Sequence, residues 1–127
     1  MDGNLIRGVH HICMKVADIG AAVDFYTKEM GYSVRIRWDG GALLRSPDGT
    51  HLEFFPVDEE KGYAHVAYVC TDVDKAFARM VGSGCAPVVE PKDAQLPCEP
   101  PLPIRIAFVR DPAGQLIELF HECGPRK

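Results

Sequence analysis

The chain has 127 residues, 46% of them hydrophobic and 25% charged, which describes one ordinary folded domain or two small modules sharing a core. Its net charge of −4, with no basic run, argues against a general nucleic-acid binder. No apolar stretch approaches the roughly 18 residues a membrane span needs, and Met1 to Arg7 lacks the apolar core of a signal peptide.

The elements follow in chain order. A strand-like run from His11 reaches Asp18, which is placed to cap a helix carrying Ala22, Val23, Phe25 and Tyr26 at helical spacing up to Gly31. Strands are predicted over 32–38, 42–45 and 51–55, with Asp48-Gly49 turning the chain between the last two. A short charged linker, 56–62, leads to a second strand that opens at His65 and reaches Asp72. A helix with Val73, Ala76, Phe77 and Met80 then ends near Gly82 and Gly84. Strands are predicted over 86–90, 104–109 and 116–120, with Ala113-Gly114 at the last turn. Each module, about 8–55 and 62–121, therefore reads β-α-β-β-β within a single domain, 1–127. Five prolines within 90–103 predict a long irregular loop, because proline breaks helices and central strands. Loops of that length often serve as lids or binding loops.

The two modules repeat one another. His11-Ile12-Cys13-Met14-Lys15-Val16-Ala17-Asp18 has its counterpart 54 positions on, in His65-Val66-Ala67-Tyr68-Val69-Cys70-Thr71-Asp72. The run from Arg45 to Phe55 is echoed 65 positions on by Arg110 to Phe120, with Arg, Pro, Gly, Glu and the final Phe all kept. Each copy thus holds one histidine and one glutamate, His11 and Glu53 in the first, His65 and Glu118 in the second. Such a pair of halves can build a four-ligand metal site. Both glutamates lie mid-strand in apolar runs, where a carboxylate is costly to bury without a cation or hydrogen-bond donors.

Strand alternation sorts the remaining side chains. His11, Cys13 and Lys15 share one face and Ile12, Met14 and Val16 the helix-packed other; His51, Glu53 and Phe55 are opposed to Leu52 and Phe54. Glu118 shares its face with Leu116 and Phe120. Arg35, Arg37 and Arg105 are further cations, alternating with apolar residues, that are candidates to face the same side. His10 is predicted on the helix side or an edge, and His51 and His121 at the periphery. The five cysteines, Cys13, Cys70, Cys85, Cys98 and Cys123, are odd in number and show no CxxC spacing. That fits neither a disulfide framework nor a zinc finger, so a reducing cytoplasm is the expected compartment.

The run His-x-x-x-x-Val-x-Asp followed by an Ala-rich helix ending in Phe-Tyr, here His11 to Tyr26, resembles the opening of vicinal-oxygen-chelate proteins. So does the closing Asp-Pro-x-Gly-x-x-Ile-Glu-Leu, here Asp111 to Leu119. The resemblance covers roughly 8–121. It implies an α+β fold in which two tandem βαβββ modules form a curved mixed sheet around a concave metal-binding cup, with the helices outside. It implies one divalent metal held by His11, Glu53, His65 and Glu118. Two imidazoles and two carboxylates suit Ni, Co, Mn, Fe or Zn, with water in the open positions.

Within that superfamily the order His, Glu, His, Glu is similar to the metal-dependent lactoylglutathione lyases of the glyoxalase class. The chemistry implied is a lyase or isomerase reaction, in which a proton next to the carbonyl of a small oxygenated substrate is removed and returned. Either Glu53 or Glu118 can be the base, and Glu118 is preferred. Glutathione-using glyoxalases commonly have arginine where Lys15 stands, and their asparagine after the first-module glutamate has no match. An anionic substrate is therefore implied more firmly than glutathione, with Lys15, Arg35, Arg37 and Arg105 as its candidate binding cations. Methylmalonyl-CoA epimerase-like enzymes share the chemistry but usually have glutamine at the position of Glu53. Extradiol dioxygenases use a three-ligand site, and bleomycin-binding members of the superfamily use the cup without metal. The short linker and the many dimeric relatives imply a homodimer, whose site combines His11 and Glu53 of one chain with His65 and Glu118 of its partner.

Overall fold

A computed structural model describes residues 5–57 and 64–124 of the protein. The elements in order are β1 (Ile6–Val16), α1 (Ile19–Glu29), β2 (Ser33–Trp38), β3 (Gly41–Arg45), β4 (His51–Pro56), β5 (His65–Cys70), α2 (Val73–Gly82), β6 (Ala86–Leu96), β7 (Leu102–Arg110) and β8 (Leu116–Glu122). This is the α+β arrangement of two βαβββ modules that the repeat predicts. Most of the predicted linker, 56–62, lies outside the described residues. The chain divides into two compact units, residues 11–64 and residues 65–127 with 1–10. The division falls within β1, between His10 and His11, whereas the repeat placed the start of the first module near residue 8.

In the first unit the strand order is β2-β3-β4-β1. β1 runs parallel to β4, and His11 lies opposite His51, Cys13 opposite Glu53 and Lys15 opposite Phe55. β3 pairs antiparallel with both β4 and β2. Alternation then gives the unit two unlike faces. Ala42, Leu44, Leu52 and Phe54 are buried on one, packed with Met14 and Val16 and with Ile19, Ala22, Val23 and Tyr26 of α1. Full burial of a side chain the size of Phe54 is worth roughly 1.5–3 kcal/mol. The other face carries His11, Cys13, His51, Glu53 and Leu43.

The second unit repeats the plan with strand order β5-β8-β7-β6. β5 runs parallel to β8, Ala67 opposite Glu118 and Val69 opposite Phe120. Its core of Leu5, Cys70, Val73, Ala76, Ala107 and Leu119 takes in Phe77 and Met80 from α2. Both helices start as their sequences predict. Asp18 and Asp72 accept from the backbone N–H three residues on, that of Ala21 and that of Lys75, each at 3.0 Å. After α1 the chain reverses at Gly31, whose φ of 77° is a conformation open to glycine.

One expectation is corrected here. Residues 90–103 are not one irregular loop: β6 continues through Pro91 to Leu96 and β7 begins at Leu102. β6 is the last strand of its unit's order, so the N–H groups that Pro87 and Pro91 lack leave no ladder bond broken on an inner strand. Register shifts between Pro87 and Val89 and between Val89 and Lys92 absorb the misfit as bulges. The extra residues of the second module therefore lengthen a hairpin, and only the proline-rich tip, 97–101, stays outside the strands.

Candidate functional site

Each unit builds the same half-site on the face turned away from its helix. In the first, His11 of β1 and Glu53 of β4 sit on adjacent parallel strands, and the His11 Nε2 lies 3.4 Å from the Glu53 Oε1. The His11 side chain is 2% exposed and that of Glu53 12%. In the second, His65 of β5 donates from Nε2 to the Glu118 Oε1 at 2.9 Å, with both side chains buried. The Phe108 ring, whose residue lies opposite Glu118, meets the His65 ring edge-on at 5.3 Å. Apolar neighbours and a parallel ladder thus hold one imidazole against one carboxylate, twice.

A buried carboxylate tolerates such a site only with a cation or donors close by. An imidazole nitrogen and a carboxylate oxygen a few ångströms apart in each half make a donor set that fits half of an N2O2 site for a borderline divalent ion. To ligate an ion, each histidine would present the Nε2 lone pair, with its proton on Nδ1.

The predicted substrate cations do not share one fate. Lys15, in register with Phe55, lies on the His11 face. Arg35 donates from Nη1 to the His51 Nε2 at 3.2 Å, which brings it to that face as well. Arg37 does not: its residue lies opposite Ala42 in the helix-packed layer, and its Nη1 donates to the Gly41 carbonyl at 3.1 Å. The reason is a register shift between Val34 and Ile36, which breaks the simple alternation that would have put Arg35 and Arg37 together. Arg105 lies opposite His121, on the α2 side of its sheet, and the structure places it away from Glu118. Its Nε and Nη2 donate to Asp74 of α2 at 2.9 Å each and its Nη1 to Asp93 at 3.1 Å. The guanidinium beside Asp74 holds that carboxyl below its ordinary value, and the two aspartates raise the arginine in turn.

Two features escaped the sequence reading. His51 is buried, 7% exposed, in register with His11. His10 is equally buried, and its Nε2 lies 2.7 Å from the Glu122 Oε2 while its ring stacks at 4.2 Å on Phe120. The signal for this pair is strand parity: Glu122 continues the alternation of Glu118 and Phe120, two residues past the predicted end of the strand. His121 does prove ordinary, its Nδ1 donating to the Cys70 carbonyl at 2.9 Å. Burial raises the Cys70 thiol, as expected of a core filler.

The profile of the Glyoxalase/Bleomycin resistance protein/Dioxygenase superfamily matches residues 8–119, and the chain belongs to that superfamily. Among solved structures, the methylmalonyl-CoA epimerase of Mycobacterium tuberculosis is 24% identical, covering 95% of this chain and 91% of its own, with a TM-score of 0.68. A Streptomyces coelicolor methylmalonyl-CoA epimerase variant in complex with 2-nitronate-propionyl-CoA is 23% identical over 94% of this chain and 99% of its own, with a TM-score of 0.72. A superfamily member from Vibrio splendidus 12B01 is 18% identical over 92% and 98%, with a TM-score of 0.63. No curated protein matches the sequence significantly. Among the described residues no helix is long and apolar enough to cross a membrane.

Proposed function

We propose that the protein is a metal-dependent lyase or isomerase of the glyoxalase type, acting on a small, anionic, oxygenated substrate. One divalent ion, Ni, Co, Mn, Fe or Zn, would be held by His11, Glu53, His65 and Glu118. The observation that supports this most is the recurrence of a buried imidazole–carboxylate pair at the matched position of each unit. When bound, such an ion supplies Lewis acidity to the oxygens of a chelating substrate.

The protein's own residues carry the proton. Glu118, sheltered from water beside His65, takes the proton from the carbon next to the carbonyl and returns it to the same or the neighbouring carbon. His65 holds that carboxylate in one orientation. Glu53 is the alternative base, and the roles separate by substitution. Lys15 and Arg35, both on the His11 face, would neutralise the anionic end of the substrate, whereas Arg37 and Arg105 lie on the helix side of their sheets. Pairing of the first unit of one chain with the second unit of another, in a homodimer, is part of the proposal. Sedimentation showing only monomer at micromolar concentration would remove it.

An epimerase is the second reading, favoured by the solved methylmalonyl-CoA epimerases that share the fold over nearly their whole length. Both readings require exchange of a carbon-bound proton, and they differ in where it returns. The test has two parts. Plasma mass spectrometry on the protein and on Glu53→Gln and His65→Ala should find about one divalent ion per site, lost or weakened in both variants. Glyoxalase and epimerase substrates incubated in D2O should then gain deuterium at the carbon beside the carbonyl. Failure to take up any of the five metals would discard the catalytic reading in favour of a binding pocket.

A further inference from the structure

We infer that His51 is a positioning residue that aims Arg35 at the carboxylate of the substrate, so that the two set a preference for a carboxylate attached within a few bonds of the enolisable carbonyl. The inference rests on the proposed function in its choice of substrate, and on independent geometry in its choice of residues.

Three observations carry it. First, Val34 lies opposite Leu44 of the helix-packed layer, so alternation puts Arg35 on the other face, where it meets His51, and the register shift that follows turns Arg37 away, so that of the two only Arg35 serves that face. Second, His51 sits directly opposite His11 on the neighbouring parallel strand and shares its face with Glu53 two residues on. Neighbouring strands lie about 4.8 Å apart, so the guanidinium is held one imidazole away from the His11–Glu53 pair. Third, arginine has donors and no acceptor, so the 3.2 Å contact requires the His51 Nε2 to accept and its proton to sit on Nδ1.

A merely structural arginine in an exposed position gains little from a buried histidine. An arginine that must present a flat fork to a carboxylate gains a fixed plane, since rotamer freedom lost beforehand is not lost on binding. His51 is 7% exposed while Arg35 is exposed, which is the arrangement of a buried support beneath a solvent-facing recognition group. The repeat places Leu116, which has no hydrogen-bonding side chain, at the position of His51 in the second module. The anion-binding device therefore belongs to the first half-site.

The test titrates malonate, and malonamide as its uncharged counterpart, into the full chain, metal-free and metal-loaded, by calorimetry. Arg35→Met, at an exposed position, should fold normally and lose roughly tenfold to a hundredfold in malonate affinity, with malonamide binding unchanged. His51→Phe should lose part of the same preference, and His51→Gln, which restores an acceptor near the Nε2 position, should recover most of it. Malonate binding unaltered in Arg35→Met, or His51→Gln losing as much as His51→Phe, would overturn the inference. A protein that binds no metal yet keeps an Arg35-dependent malonate preference would sink the proposed function and leave this inference standing.

Discussion

The two units are built on one plan and differ where chemistry can use the difference. Both open on a histidine-led strand, cap a helix with aspartate, and set a glutamate beside the histidine on a parallel neighbour. In the first unit the imidazole and carboxylate stand 3.4 Å apart, with a histidine-supported arginine alongside. In the second they are hydrogen-bonded at 2.9 Å, an aromatic ring closes over the histidine, and the arginine of the long hairpin is drawn to the helix side by Asp74. Duplication supplies one buried imidazole–carboxylate pair per unit, and under the proposed function the divergence would separate a substrate-holding half from a proton-handling half.

The sharpest way to break that division is to exchange the carboxylates for amides. Glu118→Gln should lower deuterium exchange into substrate by about 10²–10⁴, the span of a lost general base, while metal is still held with weaker affinity. Glu53→Gln should instead weaken metal retention and leave residual exchange once the ion is supplied in excess. Equal losses of exchange in the two variants, at saturating metal, would erase the distinction between the halves.

Most of this architecture is visible in the sequence, because a duplication prints each signal twice. The helix starts at Asp18 and Asp72, the alternation along β4 and β8, and one histidine and one glutamate per module follow from spacing and parity, whereas the meeting of each histidine with its glutamate on adjacent parallel strands is a property of the sheet order. Parity fails where register shifts. One bulge between Val34 and Ile36 sends Arg35 and Arg37 to opposite faces, and nothing in Ser33 to Trp38 announces it. The proline-rich segment misleads for a different reason. Proline is barred from the middle of an inner strand, but outer β6 tolerates Pro91, and Pro103 stands at the start of inner β7, before its pairing with β8 begins at Ile104; neither the sheet order nor that register can be read from the segment. His10 was hidden by its partner, since Glu122 lies beyond the apolar run that defined the strand.

That histidine pair offers the next largest effect. Glu122→Leu leaves His10 buried without its carboxylate and should destabilise the second unit by about 3 kcal/mol, at the low end for broken buried pairs because Glu122 keeps some exposure. Adding His10→Phe, which can still stack on Phe120, should recover much of the loss, as measured by urea unfolding. A double variant as unstable as the single one would show that the pair does more than satisfy itself. The first unit has its own weak point at Gly41. A Cβ there would strike the Phe54 carbonyl and lie 2.7 Å from the Trp38 ring. Gly41→Ala should therefore cost about 1–3 kcal/mol through overpacking, whereas the repeat places Ile106 at the matching position of the second unit.

The smallest expected effect concerns the arginine that the second unit diverts from its site. Asp74 is held below its ordinary carboxyl value of 3.8, chiefly by its hydrogen bonds from Arg105. A depressed folded-state value means that the stabilisation is present above the unfolded value and is lost as the pH falls through the lower, folded one. Arg105→Met should thus lower the melting temperature slightly at pH 7 and much less near pH 3, and salt should shrink the difference because the pair is open to solvent. Deuterium exchange into substrate should be untouched by this change if Arg105 serves the hairpin and not the substrate. A marked rise in KM for an anionic substrate would return Arg105 to the site and blur the contrast between the two halves.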